Sequence, residues 1–196
     1  MMKIGLTGNI GSGKTLIAGI WEKLGIPVFC ADTEAKKILA SDPEVRKLVI
    51  KTFGKASYLP DGTPNRDFLA TIVFSKSRGR KKINQIIHPR VQLAFEQWAN
   101  TQTAPYVIEE SAIIFESNLE SQFDFIVTVS AKTETLINRA MIRDNTTKEN
   151  VLARMKTQAS TLWKKKNSDF VIENNGDQLL LPQVLKIHQF LCSHQS

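Results

Sequence analysis

Residues 8–15 read Gly-Asn-Ile-Gly-Ser-Gly-Lys-Thr, which is a glycine, four residues and then Gly-Lys-Thr. This spacing is typical of a loop that binds phosphate groups. A triphosphate needs many hydrogen-bond donors at close range. Because Gly8, Gly11 and Gly13 lack Cβ atoms, the backbone can turn sharply there and point its N–H groups inward. The loop therefore predicts a binding site for a nucleoside triphosphate.

The residues at the end of this loop have side chains suited to phosphoryl chemistry. Lys14 can reach the β- and γ-phosphates of ATP, and the Thr15 hydroxyl can ligate Mg²⁺. Leu16 contributes its backbone N–H near the α-phosphate, and Ser12 lies within the loop. The alternative is a glycine-rich turn between a strand and a helix in which Gly-Lys-Thr occurs by chance.

Apolar residues on either side of the loop favour the first interpretation. Ile4 and Leu6 indicate a short buried strand before it, and a helical pattern follows from Leu16. Further strands are predicted at 28–29, 105–110, 124–129 and 169–173, with helices between them. This alternation predicts an α/β fold with a five-stranded parallel sheet flanked by helices, as in P-loop NTPases.

The chain has 196 residues, which suits one domain with inserted parts. We expect a nucleotide-binding core at about 1–41, 104–132 and 168–196. A helical substrate-binding subdomain is predicted at about 42–103, and a helical lid at about 133–167.

The net charge of +7 permits nucleic-acid binding without demonstrating it. The basic stretches 78–82 and 163–166 lack interleaved aromatic residues and indicate solvated helix faces, so no nucleic-acid partner is expected. Two distant cysteines indicate a reducing compartment. No signal peptide or membrane span is expected. We predict a cytoplasmic protein. The sequence does not give the oligomeric state, and a monomer is the default expectation.

Three acidic residues are predicted at the edge of the sheet where ligands bind. Asp32 follows the second strand, where it can act as a catalytic acid or base or as a helix N-cap. Glu109 and Glu110 end the third strand and point to opposite faces. One of them, with Glu110 the candidate, can lie beside Mg²⁺. The alternative for each is an exposed position.

Two arginines indicate the lid. Arg139 and Arg143 are four residues apart and share one helix face, which suits closure over phosphates. Thr146 and Glu149 have the spacing of a capping box for the next helix. The alternative is a solvated charged helix. His88, beside Pro89 in a long predicted helix, is either structural or part of a site.

Several short motifs, in this order and spacing, resemble the dephospho-CoA kinase family along nearly the whole chain. Outside the phosphate-binding loop they are Ala31-Asp32, Asp61-Gly62, Arg66-Asp-Phe-Leu69, Ile72-Val-Phe74, Ile87-His-Pro89, Ile113-Ile-Phe-Glu116, Arg139 with Arg143, Gln158 and Val171-Ile-Glu-Asn-Asn-Gly176.

The resemblance implies transfer of the ATP γ-phosphate to the ribose 3′-hydroxyl of dephospho-CoA, with Mg²⁺. It implies that Asp32 is the catalytic base, that Arg139 and Arg143 are lid arginines, and that Asn174 and Gly176 belong to a turn near adenine. Arg66 and His88 match the substrate-binding region.

The chain departs from the family pattern at three positions. Cys30 stands where the family usually has Asp, Asn9 where glycine is frequent, and Ala112 where proline is usual. Because Cys30 removes the first carboxylate of a possible pair with Asp32, we assign the base to Asp32 alone.

Three other functions fit parts of the sequence. One is another small-metabolite kinase, such as a nucleoside monophosphate kinase. The second is a nucleic-acid-stimulated ATPase, and the third is a module that binds ATP without turning it over.

Overall fold

A computed structural model describes residues 1–75 and 77–194, without the side chains of 73–75, 77 and 78. Its sheet has five strands, all parallel, in the order β2-β3-β1-β4-β5. Their bounds are β1 Met2–Thr7, β2 Val28–Cys30, β3 Tyr106–Glu110, β4 Phe125–Ser130 and β5 Phe170–Glu173. The predicted parallel α/β sheet is confirmed.

The helices connect consecutive strands or lie in the long segment between β2 and β3. They are α1 Lys14–Lys23, α2 Ala31–Ser41, α3 Pro43–Phe53, α4 Arg66–Ser75, α5 Ser77–Ala99, α6 Thr133–Asp144, α7 Lys148–Met155, α8 Thr161–Lys166 and α9 Leu180–Ser193. In the described residues, no helix is long and apolar enough to cross a membrane.

The chain divides into two compact units. Unit 1 comprises residues 1–30 and 101–196, and unit 2 comprises residues 31–100. The division after Cys30 falls earlier than the predicted boundary near residue 41, because α2 packs against α3 and α5. The predicted lid segment, 133–167, lies in unit 1. The three-part division stays a prediction.

The core of unit 1 lies between the central strands and the helices α1 and α9. Ile4 and Leu6 in β1 are fully buried, as expected for a central parallel strand covered on both faces. Trp21 of α1 packs into the same cluster, together with Leu191 of α9. This packing fixes the start of α1, and with it the end of the glycine-rich loop.

Unit 2 is helical, as predicted for an insertion between the second and third strands. Asp42 caps α3, since its carboxylate accepts from the backbone N–H groups of Glu44 and Val45 at 2.8 and 3.1 Å. Pro89 lies inside α5, where the sequence predicted it. The side chains of Val73, Phe74 and Arg78, predicted on helices here, lie outside the described part.

Candidate active site

The glycine-rich loop has the backbone conformation that its sequence predicts. Gly11 and Gly13 have φ values of +79° and +91°, in the left-handed region that favours glycine. A Cβ on Gly11 would collide with the backbone of Leu136, and one on Gly13 with the amide of Asn174. Both the backbone conformation and the lack of space for a Cβ therefore favour glycine over any other residue at these two positions.

Helix α1 begins at Lys14, directly after the loop. The Lys14 side chain is buried and folds back over the loop, where its Nζ donates to the carbonyl of Gly8 at 3.0 Å. The Leu16 side chain is exposed, so only its backbone is suited to the predicted role. No acidic side chain occupies the first turn, and its N–H groups and positive dipole end suit an anion.

The Thr15 hydroxyl lies beside a carboxylate. Its Oγ1 donates to Oε1 of Glu110 at 3.0 Å. Glu110 is the last residue of β3, the strand paired with β1, which leads into the loop. Both Glu109 and Glu110 are buried, so the exposed alternative is wrong for each. A hydroxyl beside a carboxylate is a suitable partial ligand set for Mg²⁺, which prefers oxygen atoms and keeps several waters.

The turn after β5 is tied to the loop through Asn174. Its Nδ2 donates to the carbonyl of Ser12 at 2.8 Å, and its own carbonyl accepts from Arg139 Nη1 at 2.8 Å. Ser12 is buried, and Gly176 turns the chain with a φ of +93°. The structure thus brings together the loop, Arg139 and the Asn174–Gly176 turn.

Arg143 is held differently from Arg139. It forms an ion pair with Asp144, whose other oxygen contacts Arg154 at 2.8 Å. The hydrogen bond from Arg143 and the charges of both arginines lower the pKa of Asp144. Thr147, not the predicted Thr146, caps α7, accepting from the backbone N–H of Asn150. The cap falls one residue later because α6 extends to Asp144.

A cavity of about 760 Å³ lies beside the glycine-rich loop. Its walls come from that loop, the segments after β4 and β5, and the segment between α7 and α8. They include Asn9, Lys132, Thr161, Lys165, Asn175 and Gln178. Most of the lining residues carry polar side chains, although the surface they expose to the cavity is more apolar than polar. The volume suits a nucleoside.

The segment between α7 and α8 contacts the loop through residues whose roles the sequence analysis did not find. The amide of Asn9 donates to the carbonyl of Ala159 at 2.9 Å, and its oxygen accepts from Thr161. Lys164 was predicted on a solvated face and is instead 0% exposed, which corrects that prediction. Only the motif membership of Gln158 and Glu116 gave a signal in the sequence.

In unit 2, Asp32 lies in the first turn of α2 and does not cap it, since the helix begins at Ala31. His88 lies on α5, which packs against α2. Burial lowers the pKa of His88, and the charge of Asp32 opposes this shift. Asp32 and His88 therefore share one electrostatic environment. Arg66 begins α4, which also packs against α5.

The parallel sheet, the glycine-rich loop with its lysine and the Thr15–Glu110 pair together define a P-loop kinase. The sequence model of one such family, dephospho-CoA kinase, matches residues 2–179. A dephospho-CoA kinase from Bacteroides fragilis is 39% identical over 191 residues, covering 97% of this chain and 93% of the relative. One from Salinibacter ruber is 36% identical and covers 90% of each chain. The chain belongs to the dephospho-CoA kinase family.

Solved structures agree on the fold. A crystal structure from Thermus thermophilus is 30% identical, with a TM-score of 0.84 and 96% coverage of both chains. The dephospho-CoA kinase of Campylobacter jejuni has a TM-score of 0.66 at 24% identity, covering 99% and 98% of the two chains. At 16% identity and a TM-score of 0.56, the shikimate kinase of Acinetobacter baumannii shares the fold, covering 100% and 95%.

Proposed function

We propose that this protein transfers the γ-phosphate of ATP to the ribose 3′-hydroxyl of dephospho-CoA, giving coenzyme A and ADP. The observation that carries the proposal is the glycine-rich loop with buried Lys14 and the adjoining Thr15–Glu110 pair, in a chain of this family. Phosphoryl transfer asks the protein mainly to position the reactants and to stabilise charge. The site offers both.

Unit 1 binds ATP in this proposal. Gly8, Gly11, Ser12 and Gly13 supply backbone donors to the phosphates, and Lys14 leaves the Gly8 carbonyl for the β- and γ-phosphates. The Leu16 N–H contacts the α-phosphate. The base occupies the cavity beside the loop, near Asn174 and Gly176.

Mg²⁺ is the cation we propose for this site. Thr15 and Glu110 would hold it, since their oxygens lie 3.0 Å apart at the end of β3. When bound, it would neutralise charge on the β- and γ-phosphates. Among the described residues, no cluster of three or more His, Cys, Asp or Glu could hold a metal. Phosphate oxygens and water therefore complete the ligand set in this proposal.

Unit 2 supplies the acceptor side. Asp32 accepts the proton of the 3′-hydroxyl as it attacks the γ-phosphate, a role worth about 10² to 10⁴-fold in rate. Arg66 and His88 bind dephospho-CoA. Arg139 and Arg143 stabilise the transferred phosphoryl group, which requires Arg143 to exchange the Asp144 carboxylate for phosphate oxygens.

We further propose that the enzyme works as a cytoplasmic monomer. Every proposed role is filled by one chain, and neither Cys30 nor Cys192 forms a disulfide, as suits a reducing compartment. Light scattering of the purified protein tests the monomer, for which a mass of 22.0 kDa is expected.

The reaction is tested by measuring ADP release with ATP and Mg²⁺ in the presence of different acceptors. Dephospho-CoA is expected to stimulate release strongly, whereas adenosine and uridine monophosphates leave it near the rate without acceptor. Stimulation by a nucleoside monophosphate alone would replace this proposal with a nucleoside monophosphate kinase. Stimulation only by DNA or RNA would indicate an ATPase.

A further inference from the structure

An ion pair between buried Lys164 and partly buried Glu116 lies next to the proposed ATP site. The ammonium of Lys164, in α8, is 3.0 Å from Oε1 of Glu116. Lys164 is 0% exposed, and burial lowers the pKa of its ammonium while Glu116 opposes that shift. Such a pair costs desolvation that the attraction only partly offsets, so it is weak support for stability by itself. Its further contacts indicate a different role.

The same oxygen of Glu116 holds the segment between α7 and α8. Besides Lys164, Glu116 Oε1 accepts from the backbone N–H of Ala159 at 2.8 Å. The neighbouring residue, Gln158, accepts from the backbone N–H of Ile10 through Oε1 at 3.0 Å. Ile10 lies in the glycine-rich loop. The ion pair is therefore two contacts away from the backbone that cradles the phosphates.

Lys164 also reaches the other side of the site. Its Nζ donates to the carbonyl of Ala112 at 2.8 Å, two residues after Glu110. The intervening Ser111 donates its N–H to the carbonyl of Leu6 in β1 at 3.0 Å. One ammonium thus joins the segment that carries the Thr15 partner to the segment that contacts the loop.

We propose that Lys164 and Glu116 are positioning residues that set the conformation of the ATP-binding loop through Gln158 and Ala159. The proposal rests on the proposed ATP site. Neither residue contacts the reacting atoms. Their contribution is a fixed distance between the glycine-rich loop, the segment 158–161 and the segment after β3.

The test is calorimetric titration of the full-length protein with ATP and Mg²⁺, without any acceptor. Lys164→Met approximately keeps the length of the side chain and removes its charge. Lys166→Met makes the same change at an exposed position of the same helix. Gln158→Ala removes only the contact to Ile10 and leaves the ion pair intact. Thermal unfolding of each variant accompanies the titrations, and initial rates give both KM values.

Lys164→Met is expected to raise the Kd for ATP at least about tenfold, while Lys166→Met stays within about twofold of wild type. Gln158→Ala is expected to raise Kd about threefold or more, with little change in Tm. The KM for dephospho-CoA stays near the wild-type value in both test variants.

A lowered Tm with an ATP Kd within twofold of wild type, for Lys164→Met, would make the pair merely structural and overturn the proposal. If Lys164→Met does not fold, Gln158→Ala decides, and an unchanged Kd would overturn it. Failure of the proposed reaction is distinguishable from failure of the positioning role. In the first case the wild type does not turn over dephospho-CoA, but the ATP titrations of wild type and variants can still be compared with one another.

Discussion

Replacing Gly11 with alanine separates the shape of the glycine-rich loop from the general cost of a left-handed residue. Gly25, in the turn after α1, is a matched control because the two φ values are +79° and +81°. A Cβ at Gly25 would meet no atom within 4 Å. A Cβ at Gly11 would lie 3.0 and 3.1 Å from the carbonyl carbon and Cα of Leu136, and closer still to its oxygen.

Both variants pay the cost of an L-residue in the left-handed region, about 1–2 kcal/mol. For a chain of this size, that lowers Tm by about 2–8 °C. Only Gly11→Ala also needs a displacement. Because Leu136 is fully buried in α6, the loop must move by several tenths of an ångström instead. Misplacement on this scale in a positioning element lowers kcat/KM for ATP by about ten- to a hundredfold.

The assay is the initial rate of ADP release at varied ATP, with thermal unfolding measured on the same preparations. Gly25→Ala is expected to have a lower Tm than wild type and a kcat/KM for ATP within about twofold of the wild-type value. Equal catalytic losses in the two variants would refute the reasoning, because the steric contact with Leu136 would then have no effect on the loop.

Three further predictions concern the titration of His88 and a hydrogen bond of Tyr106. Asp32→Asn is expected to lower the pKa of His88 further, since the Asp32 charge opposes the lowering by burial; an NMR titration of His88 that shows an unchanged or higher pKa contradicts this. Because the folded-state pKa of His88 lies below 6.5, its neutral form favours folding above that pH. Stability is therefore lost as the pH falls from 6.5 towards the lowered pKa, and urea unfolding of His88→Gln is expected to show less of this loss. Tyr106→Phe removes the contact between the phenol oxygen and His188 Nδ1 at 2.6 Å and is expected to cost about 0.5–1.5 kcal/mol in urea unfolding. A variant as stable as wild type would show that this contact adds nothing.

The parts of the site that follow from local sequence were predictable. The glycine-rich loop is one continuous stretch, so its residue types alone predicted both the left-handed glycines and the helix that follows them. Strand periodicity predicted that one of Glu109 and Glu110 lies on the face towards the loop, with Glu110 as the candidate, but it did not choose between them. The contact of Glu110 with Thr15 spans 95 residues, yet the sheet topology brings the two segments together.

Other contacts depend on packing between distant segments, which periodicity does not encode. Lys164 lies in a run of three lysines, and its buried ammonium has its partners, Glu116 and the Ala112 carbonyl, in distant parts of the chain. Asn9 departs from the family pattern, and its amide joins the loop to Ala159 and Thr161. Neither role has a signature in spacing or composition.

The lid arginines show a third limit. Helical spacing placed Arg139 and Arg143 on one face, but they have different partners, Asn174 and Asp144. The pattern gives the face of a helix and leaves open which acceptor each guanidinium reaches.

The central claim is that Lys14 serves phosphoryl transfer to dephospho-CoA. The most direct test is to incubate wild type and Lys14→Ala with ATP, Mg²⁺ and dephospho-CoA, and to identify the product by mass and by the ³¹P signal of a 3′-phosphate. Coenzyme A is expected with the wild type, with formation reduced by at least about two orders of magnitude in the variant, since the lysine stabilises charge on the transferred group. A wild type that yields no 3′-phosphorylated product, or a variant as active as wild type, would contradict the account.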